Sequence, residues 1–277
     1  MANFSAADVK KLRELTAAGM MDCKKALEEA EGDVDKAVEI LRVKGQKGVT
    51  KREGRSASNG AVVSVLDGHA SGVLVELKCE TDFVAKSPKF VAAAEALAAH
   101  VAKTSPADLD ALLASEIEPG KTVQGFVDDA NVTLAEKIVL DRFAQFADGY
   151  VAAYLHKTSP DLPAQIGVLV ELDGDNAQIA KDVAQHIAAF SPTYLRREDV
   201  PAEIVEAERR VAEATAREEG KPEAALARIV EGRVTGFYKD NVVLEQAFAK
   251  DSKKSVAKVL DEAGVTLKRF ARLRVGV

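Results

Sequence analysis

The chain has 277 residues, 47% of them hydrophobic and 30% charged, which is enough for one large domain or two to three smaller ones that stay in solution. An aromatic content of 5% with no Trp, together with a net charge of −6, argues against stacking platforms for nucleic acid and against a general polyanion binder. Two isolated cysteines, Cys23 and Cys79, argue against a disulfide framework or a zinc site and fit a reducing cytoplasm. The first residues carry no signal-peptide pattern and no run approaches the roughly 20 apolar residues of a membrane span, so the expectation is a soluble cytoplasmic protein.

Residues 1–55 read as three short helices followed by a tether. Ser5 is the expected N-cap of the first, with Asp8 as a weak capping box; Val9, Leu12 and Leu15 share a face and Gly19 ends the element. Asp22 is placed to cap the second, where Cys23, Ala26, Leu27 and Ala30 keep helical spacing, and Asp33 to cap the third, with Val34, Ala37, Val38 and Leu41. A bundle this small has a thin core and usually works as a docking module. Met20-Met21, in the connection between the first two helices, either plug that core or form an adaptable apolar contact surface. Lys44, Lys47, Lys51, Arg52 and Arg55, interrupted by Gly45, Gly48 and Gly54, read as a solvated basic tether, with RNA contact as the lesser alternative.

The remainder contains a duplication. The run Gly72-Val73-Leu74-Val75-Glu76-Leu77 recurs unchanged as Gly167-Val168-Leu169-Val170-Glu171-Leu172. Asn59-Gly60 and Asp148-Gly149 lead into the strands before each copy, and His100 and His186 each precede a Ser-Pro stop at Ser105-Pro106 and Ser191-Pro192. Each unit reads strand, turn, strand, helix, which predicts an α+β core of related subdomains over residues 56–140 and 141–277, each with a small antiparallel sheet covered by helices on one face. The helix stripes are Phe90, Ala93, Ala94, Leu97 and Val101 in one copy, and Ile179, Val183, Ile187 and Phe190 in the other. His100 and His186 fit packing or capping roles.

The copies differ in length. Gly72 to His100 is 28 steps and Gly167 to His186 is 19, so the first copy carries nine extra residues, which fall at Cys79 to Lys89. The fold of the second copy does without them, and the excess places Asp82-Phe83 at an exposed tip. A drifted surface loop favours polar residues over an exposed Phe, so the excess reads as functional.

Within the second half, Pro201 opens a charged helix from Ala202 to Glu219 with Ile204, Val205, Val211 and Ala212 as its apolar line. Gly220-Lys221-Pro222 breaks it, and Glu223 to Val234 turns back with Leu226, Ile229 and Val230, predicting a protruding antiparallel helical hairpin over about 200–235. A closing helix is expected from Ser252 to Ala263, and the alternation from Thr266 to Val275 predicts a strand returning to a sheet edge.

No residue pattern supports bond-making chemistry. Pro119-Gly120-Lys121-Thr122 resembles the end of a phosphate-binding loop, but Ser115 stands where that pattern needs its first glycine and no apolar strand precedes it. G-x-S-x-G, H-E-x-x-H and C-x-x-C are absent, the four histidines are dispersed, and Asp128-Asp129 sit in polar surroundings. No catalytic residue, metal ligand or cofactor site is assigned, and the chain reads as one that acts on another protein.

The segments Leu12-Arg13-Glu14-Leu15-Thr16, Gly19-Met20-Met21-Asp22-Cys23-Lys24-Lys25-Ala26-Leu27 and Thr81-Asp82-Phe83-Val84-Ala85-Lys86 resemble the bacterial translation elongation factor Ts family. The resemblance covers essentially the whole chain and includes Glu231-Gly232-Arg233 and Leu244-Glu245-Gln246. It implies a guanine-nucleotide exchange factor for the GTPase elongation factor Tu, with a ubiquitin-associated-like three-helix bundle, core subdomains N and C, and a coiled-coil arm. It further implies that Thr81, Asp82, Phe83 and Val84 disturb the partner's Mg²⁺ site, with Asp82 and Phe83 intruding and Thr81 and Val84 holding the tip. Arg13, Met20, Met21 and Lys24 would meet the partner's GTP-binding domain, which turns Met20-Met21 towards a contact role; Leu134, Ala135 and His156 align with further contacts, Ala135 standing where a relative has glycine. Contacts are not carried over at Ala249-Lys250, which replaces a more apolar pair, nor for the C-terminal helical module of some relatives, which this sequence lacks. Direct nucleic-acid or membrane binding is not implied, and nucleotide is bound by the partner only. The alternative on the residues alone is a non-exchanging adaptor or holdase using the three-helix module and the arm.

Overall fold

In a computed structural model the chain is described over residues 4–16, 18–52 and 54–276, without the side chains of 46–51. The first three helices are α1 (Ala6–Thr16), α2 (Met20–Glu29) and α3 (Val34–Arg52). Ser5 and Asp8 form a full reciprocal capping box: Ser5 N donates to Asp8 Oδ2 at 2.8 Å and Asp8 N donates to Ser5 Oγ at 3.3 Å. Leu12, Cys23, Ala26, Leu27, Ala37 and Leu41 are buried together as the bundle core.

Two expectations change here. Met20 and Met21 form the first turn of α2, not a connection, because the extended backbone of Gly19 takes the N-cap position. Asp22 then lies inside the first turn, where a carboxylate favours the helix dipole. The basic tether is instead helix: α3 runs on through Gly45 and Gly48 to Arg52. The reason is docking. A Cβ at Gly45 would lie 2.9 Å from Val132 Cγ2 of the helix Val123–Leu134, and Arg52 Nη1 donates to Asn131 O at 3.2 Å. Glycine thus allows the close approach that stabilises the extra turns. The Lys47 and Lys51 side chains lie outside the described residues.

The first core half comprises β1 (Asn59–Asp67), β2 (Ser71–Cys79), a single turn α4 (Asp82–Ala85), α5 (Pro88–Thr104), α6 (Leu109–Ala114), a short hairpin of β3 (Glu116–Glu118) and β4 (Lys121–Thr122), α7 (Val123–Leu134) and β5 (Val139–Phe146). The second comprises β6 (Tyr150–His156), β7 (Ile166–Leu172), α8 (Ala177–Phe190), the arm α9 (Ala202–Glu218) and α10 (Glu223–Asn241), a hairpin of β8 (Ala247–Phe248) and β9 (Asp251–Ser255), α11 (Val256–Glu262) and β10 (Leu267–Arg274). The three-stranded antiparallel sheets have orders β1-β2-β5 and β10-β7-β6, so β5, which spans the expected junction at 140/141, completes the first sheet.

The duplication runs further than the repeated sextet. Thr122 caps α7 as Ser255 caps α11, and Val123 N donates to Ser115 O at 2.9 Å where Val256 N donates to Gln246 O at 3.0 Å. His100 Nε2 bonds Ser115 Oγ at 2.7 Å and His186 Nε2 bonds Gln246 Oε1 at 2.9 Å. Both third strands bulge at the same register position, at Asp141 and at Lys268. Gly120-Lys121-Thr122 is therefore a hairpin turn and a helix cap. Gly120 turns at φ 73°, and Lys121 Nζ pairs with Asp129 at 2.9 Å and Glu118 at 3.1 Å.

The two sheets pack back to back on the faces away from their helices, through Val62, Leu74, Phe146, Val151, Leu169, Leu273 and Val275. Their second face is thus covered by the twin sheet, which explains why the sextets are buried throughout and do not alternate. A Cβ on Gly72 would meet Val151 Cγ1 at 2.7 Å, and one on Gly167 would meet Val62 Cγ1 at 2.4 Å. Glu76 and Glu171 are fully buried at this interface and are gripped by Arg142 and Arg269 of the third strands. Burial raises the Glu76 carboxyl against the pull of Arg142 and Lys78, whereas at Glu171 burial is outweighed by bonds from Lys268 and Arg269 and the carboxyl is lowered.

Elsewhere the stripes shift. The arm buries Ala212, Ala216, Leu226 and Val234, leaving Ile204 and Val211 exposed, and α10 continues past 234 to Asn241. Phe190 is exposed and stacks on His186 with centroids 4.7 Å apart. Residues Asp251–Ser255 pair as β9 before α11 starts, because the Ser255 hydroxyl accepts Lys258 N and opens the helix there. Among the described residues no helix is long and apolar enough to cross a membrane.

Candidate functional site

The extra length of the first copy has two parts. Leu77 to Pro88 is 11 steps against 5 from Leu172 to Ala177, and α5 starts three residues earlier relative to His100 than α8 does relative to His186. The six extra residues between strand and helix make room for the turn α4. Thr81 is its N-cap: its Oγ1 accepts Val84 N at 3.2 Å. Val84 and Ala85 point down into the core with Phe90 and Leu97. Phe83 points out and is 73% exposed, with Lys86 Nζ 5.8 Å from its ring centroid. Asp82 is exposed beside it. One helical turn thus sorts its residues by period: two anchor, and an aromatic ring with a carboxylate is presented to solvent.

A second insertion of the first copy meets the first. Val123 to Leu140 is 17 steps where Val256 to Leu267 is 11; five of the six extra residues lengthen α7, which has 12 residues against 7 in α11, and one lengthens the connection that follows, which holds Ala135, Glu136 and Lys137. Ala135 closes α7 in the left-handed region, at φ 57°. That reversal aims the Glu136 carboxylate at the base of α4. It accepts Glu80 N at 3.1 Å, Thr81 N at 3.0 Å and Thr81 Oγ1 at 2.5 Å. In return the Glu80 carboxylate accepts Lys137 N at 2.6 Å and pairs with Arg55 at 3.3 Å. Cys79 Sγ donates to Thr81 O at 3.1 Å; burial, then the nearby Glu136 charge, push its thiol up to about 12, so it is a packed strand-end residue and not a nucleophile. Sequence reasoning missed Glu136 and Glu80. The only available signal was the unequal spacing before the third strands.

The other candidate residues fall on separate elements. Leu134 is half-buried against the first core and Ala135 is exposed, and Glu136 joins both to Thr81. Arg13 and Lys24 are exposed on α1 and α2, and Met20 and Met21 are 57% and 62% exposed, so they do not plug the bundle core. His156 ends β6 in the second half, with Nδ1 3.1 Å from Tyr154 Oη, beside a groove of about 330 Å³ lined by Gln185, Arg272 and Arg274. Among the described residues no cluster of His, Cys, Asp or Glu is placed to hold a metal ion.

The chain is similar to known proteins throughout. A family model described as Elongation factor TS matches residues 80–277. Elongation factor Ts of Streptomyces avermitilis is 77% identical over 278 aligned positions, covering 100% of both chains. Elongation factor Ts of Streptomyces coelicolor is 73% identical with the same coverage, and that of Thermobifida fusca is 58% identical over 276 positions, covering 100% of this chain and 99% of the relative.

Proposed function

The chain belongs to the elongation factor Ts family and is a guanine-nucleotide exchange factor of translation elongation, not an enzyme; from that premise we propose that it releases GDP from elongation factor Tu by way of Thr81–Val84. The observation that carries this reading is the solvent-facing Phe83 ring on a turn anchored from below by Val84 and Ala85. A free Phe of that exposure, held in place, is disposed to enter a partner. Mg²⁺ holds nucleotide through near-ideal octahedral geometry, so a ring wedged beside it and the Asp82 carboxylate near it weaken the hold on phosphate. Coupling is reciprocal: a factor that weakens GDP binding is itself bound less tightly by the GDP form, so incoming nucleotide ends the cycle. No bond in the nucleotide is broken, and no general acid or base is needed.

Arg13, Met20, Met21 and Lys24, on the ubiquitin-associated-like bundle, are the proposed contacts with the partner's GTP-binding domain. Leu134 and Ala135 of subdomain N and His156 of subdomain C are further contacts, in the cytoplasm where the partner works. The test is release of mant-GDP from elongation factor Tu with wild type and Phe83→Ala side by side. Wild type accelerates release and Phe83→Ala loses most of that acceleration. An adaptor acting through the exposed methionines predicts instead that Phe83→Ala keeps full activity, and that result refutes the wedge.

A further inference from the structure

We propose that Glu136 is a positioning residue for exchange: it holds the Thr81–Val84 turn in its projecting geometry and joins it to Leu134–Ala135 as one contact unit. The inference rests on the wedge reading above and adds to it the device that fixes the wedge.

Several observations carry it. The Glu136 carboxylate takes three bonds from the root of α4, at 3.1, 3.0 and 2.5 Å, two of them from backbone N–H groups whose position sets where the turn begins. One of its donors, Thr81 Oγ1, is also the acceptor that caps α4 through Val84 N, so Glu136 orients the cap itself. The clamp is reciprocal, since Glu80 reaches back to Lys137 N at 2.6 Å. Lys137 Nζ donates to Arg55 O at 3.0 Å and Arg55 pairs with Glu80, which brings in the segment leaving α3.

The internal duplication supplies the control. The second copy lacks both insertions, and there the short junction after β7 is closed by Asp173, which accepts Thr266 N at 2.6 Å and Thr266 Oγ1 at 2.7 Å. One carboxylate from the strand end thus spans the junction in the second copy, as Glu80 does in the first by accepting Lys137 N. Glu136 reaches across from the other side, in the copy that carries the projecting Phe83. A wedge does its work only if the ring is held at a fixed position while the partner's side chains are displaced; a loose turn spends the contact on its own ordering.

The experiment measures the maximal rate of mant-GDP release from elongation factor Tu at saturating factor, and the factor concentration giving half of it, for wild type, Glu136→Ala, Glu136→Gln, Phe83→Ala and Glu136→Ala/Phe83→Ala. Amide exchange at Thr81 and Val84 is read on the same proteins. Glu136→Ala is expected to lower the maximal rate about tenfold with a small change in the half-saturating concentration. It should speed amide exchange at Thr81 and Val84, and have no further effect once Phe83 is gone. Glu136→Gln, which keeps one carbonyl acceptor, is expected to fall between. If Phe83→Ala slows release while both Glu136 variants match wild type, the clamp is refuted and the wedge stands. If Glu136→Ala slows release equally with and without Phe83, Glu136 acts through general stability and the inference is again refuted. If Phe83→Ala changes nothing, the wedge reading fails and the clamp with it. Should Glu136→Ala not fold, the same outcomes are read on Glu136→Gln.

Discussion

Ala135 is one of four non-glycine residues at positive φ among the described residues. It closes α7 at φ 57° and ψ 23°, left-handed backbone in which an L residue with a Cβ loses roughly 1–2 kcal/mol. Glycine relieves that cost, and against it stands the freer unfolded chain of glycine, roughly 0.4–1 kcal/mol. The Ala135 methyl is exposed, so its removal opens no cavity. Ala135→Gly is therefore expected to stabilise the protein by about 0.5–1 kcal/mol. Urea denaturation at constant slope measures it as a rise in midpoint. Ala227→Gly, on an exposed position within α10, is the control of opposite sign, with a loss of about 0.5–1 kcal/mol. If Ala135→Gly destabilises as Ala227→Gly does, residue 135 is not left-handed, and the reversal that aims Glu136 at α4 is refuted.

Two further outcomes follow from the core. Gly167→Ala is expected to cost about 1–3 kcal/mol, because its Cβ would lie 2.4 Å from Val62 Cγ1 between two packed sheets; Val62→Ala in the same chain should recover part of that loss, and strictly additive urea midpoints would refute the close approach. Burial holds the His186 imidazole below its ordinary value against the hydrogen bond with Gln246, so the unfolded chain takes up a proton that the folded chain refuses. Stability is then full above the ordinary histidine range and falls as pH drops through it, by at most about 1.4 kcal/mol per pH unit for one proton. His186→Gln should flatten that slope between about pH 7 and 5. His100, shifted the same way by burial, is common to both proteins and cancels in the difference, so an unchanged slope refutes the assignment.

Much of the fold was legible because it rests on local rules. The Ser5-Asp8 box, the Asp33 cap and the periodicity of Phe90, Ala94, Leu97 and Val101 depend on residues three or four apart, and the structure keeps them all. The repeated sextet measured the first insertion by length alone, and the second copy served as a ruler. Local rules also misled. Gly45 and Gly48 read as helix breakers, yet α3 continues because Gly45 lets it lie against Val132, a contact 87 positions away. Val211 kept the apolar spacing of α9 but is exposed, since the arm packs on the smaller Ala212 and Ala216.

What the sequence determined by itself is the duplicated α+β plan, the two strand-strand-helix units and the extra residues that put Asp82 and Phe83 at a tip. Only the tertiary structure decided that the sheets stand back to back, which buries Glu76 and Glu171 and makes Gly72 and Gly167 necessary. It alone brought the second insertion onto the first, so that Glu136 reaches Thr81 across 55 positions. Periodicity encodes which face of an element is apolar, but not which other face it meets. That choice is made by long-range strand pairing and close packing, where the loop-closure entropy of distant contacts is offset by the area they bury together.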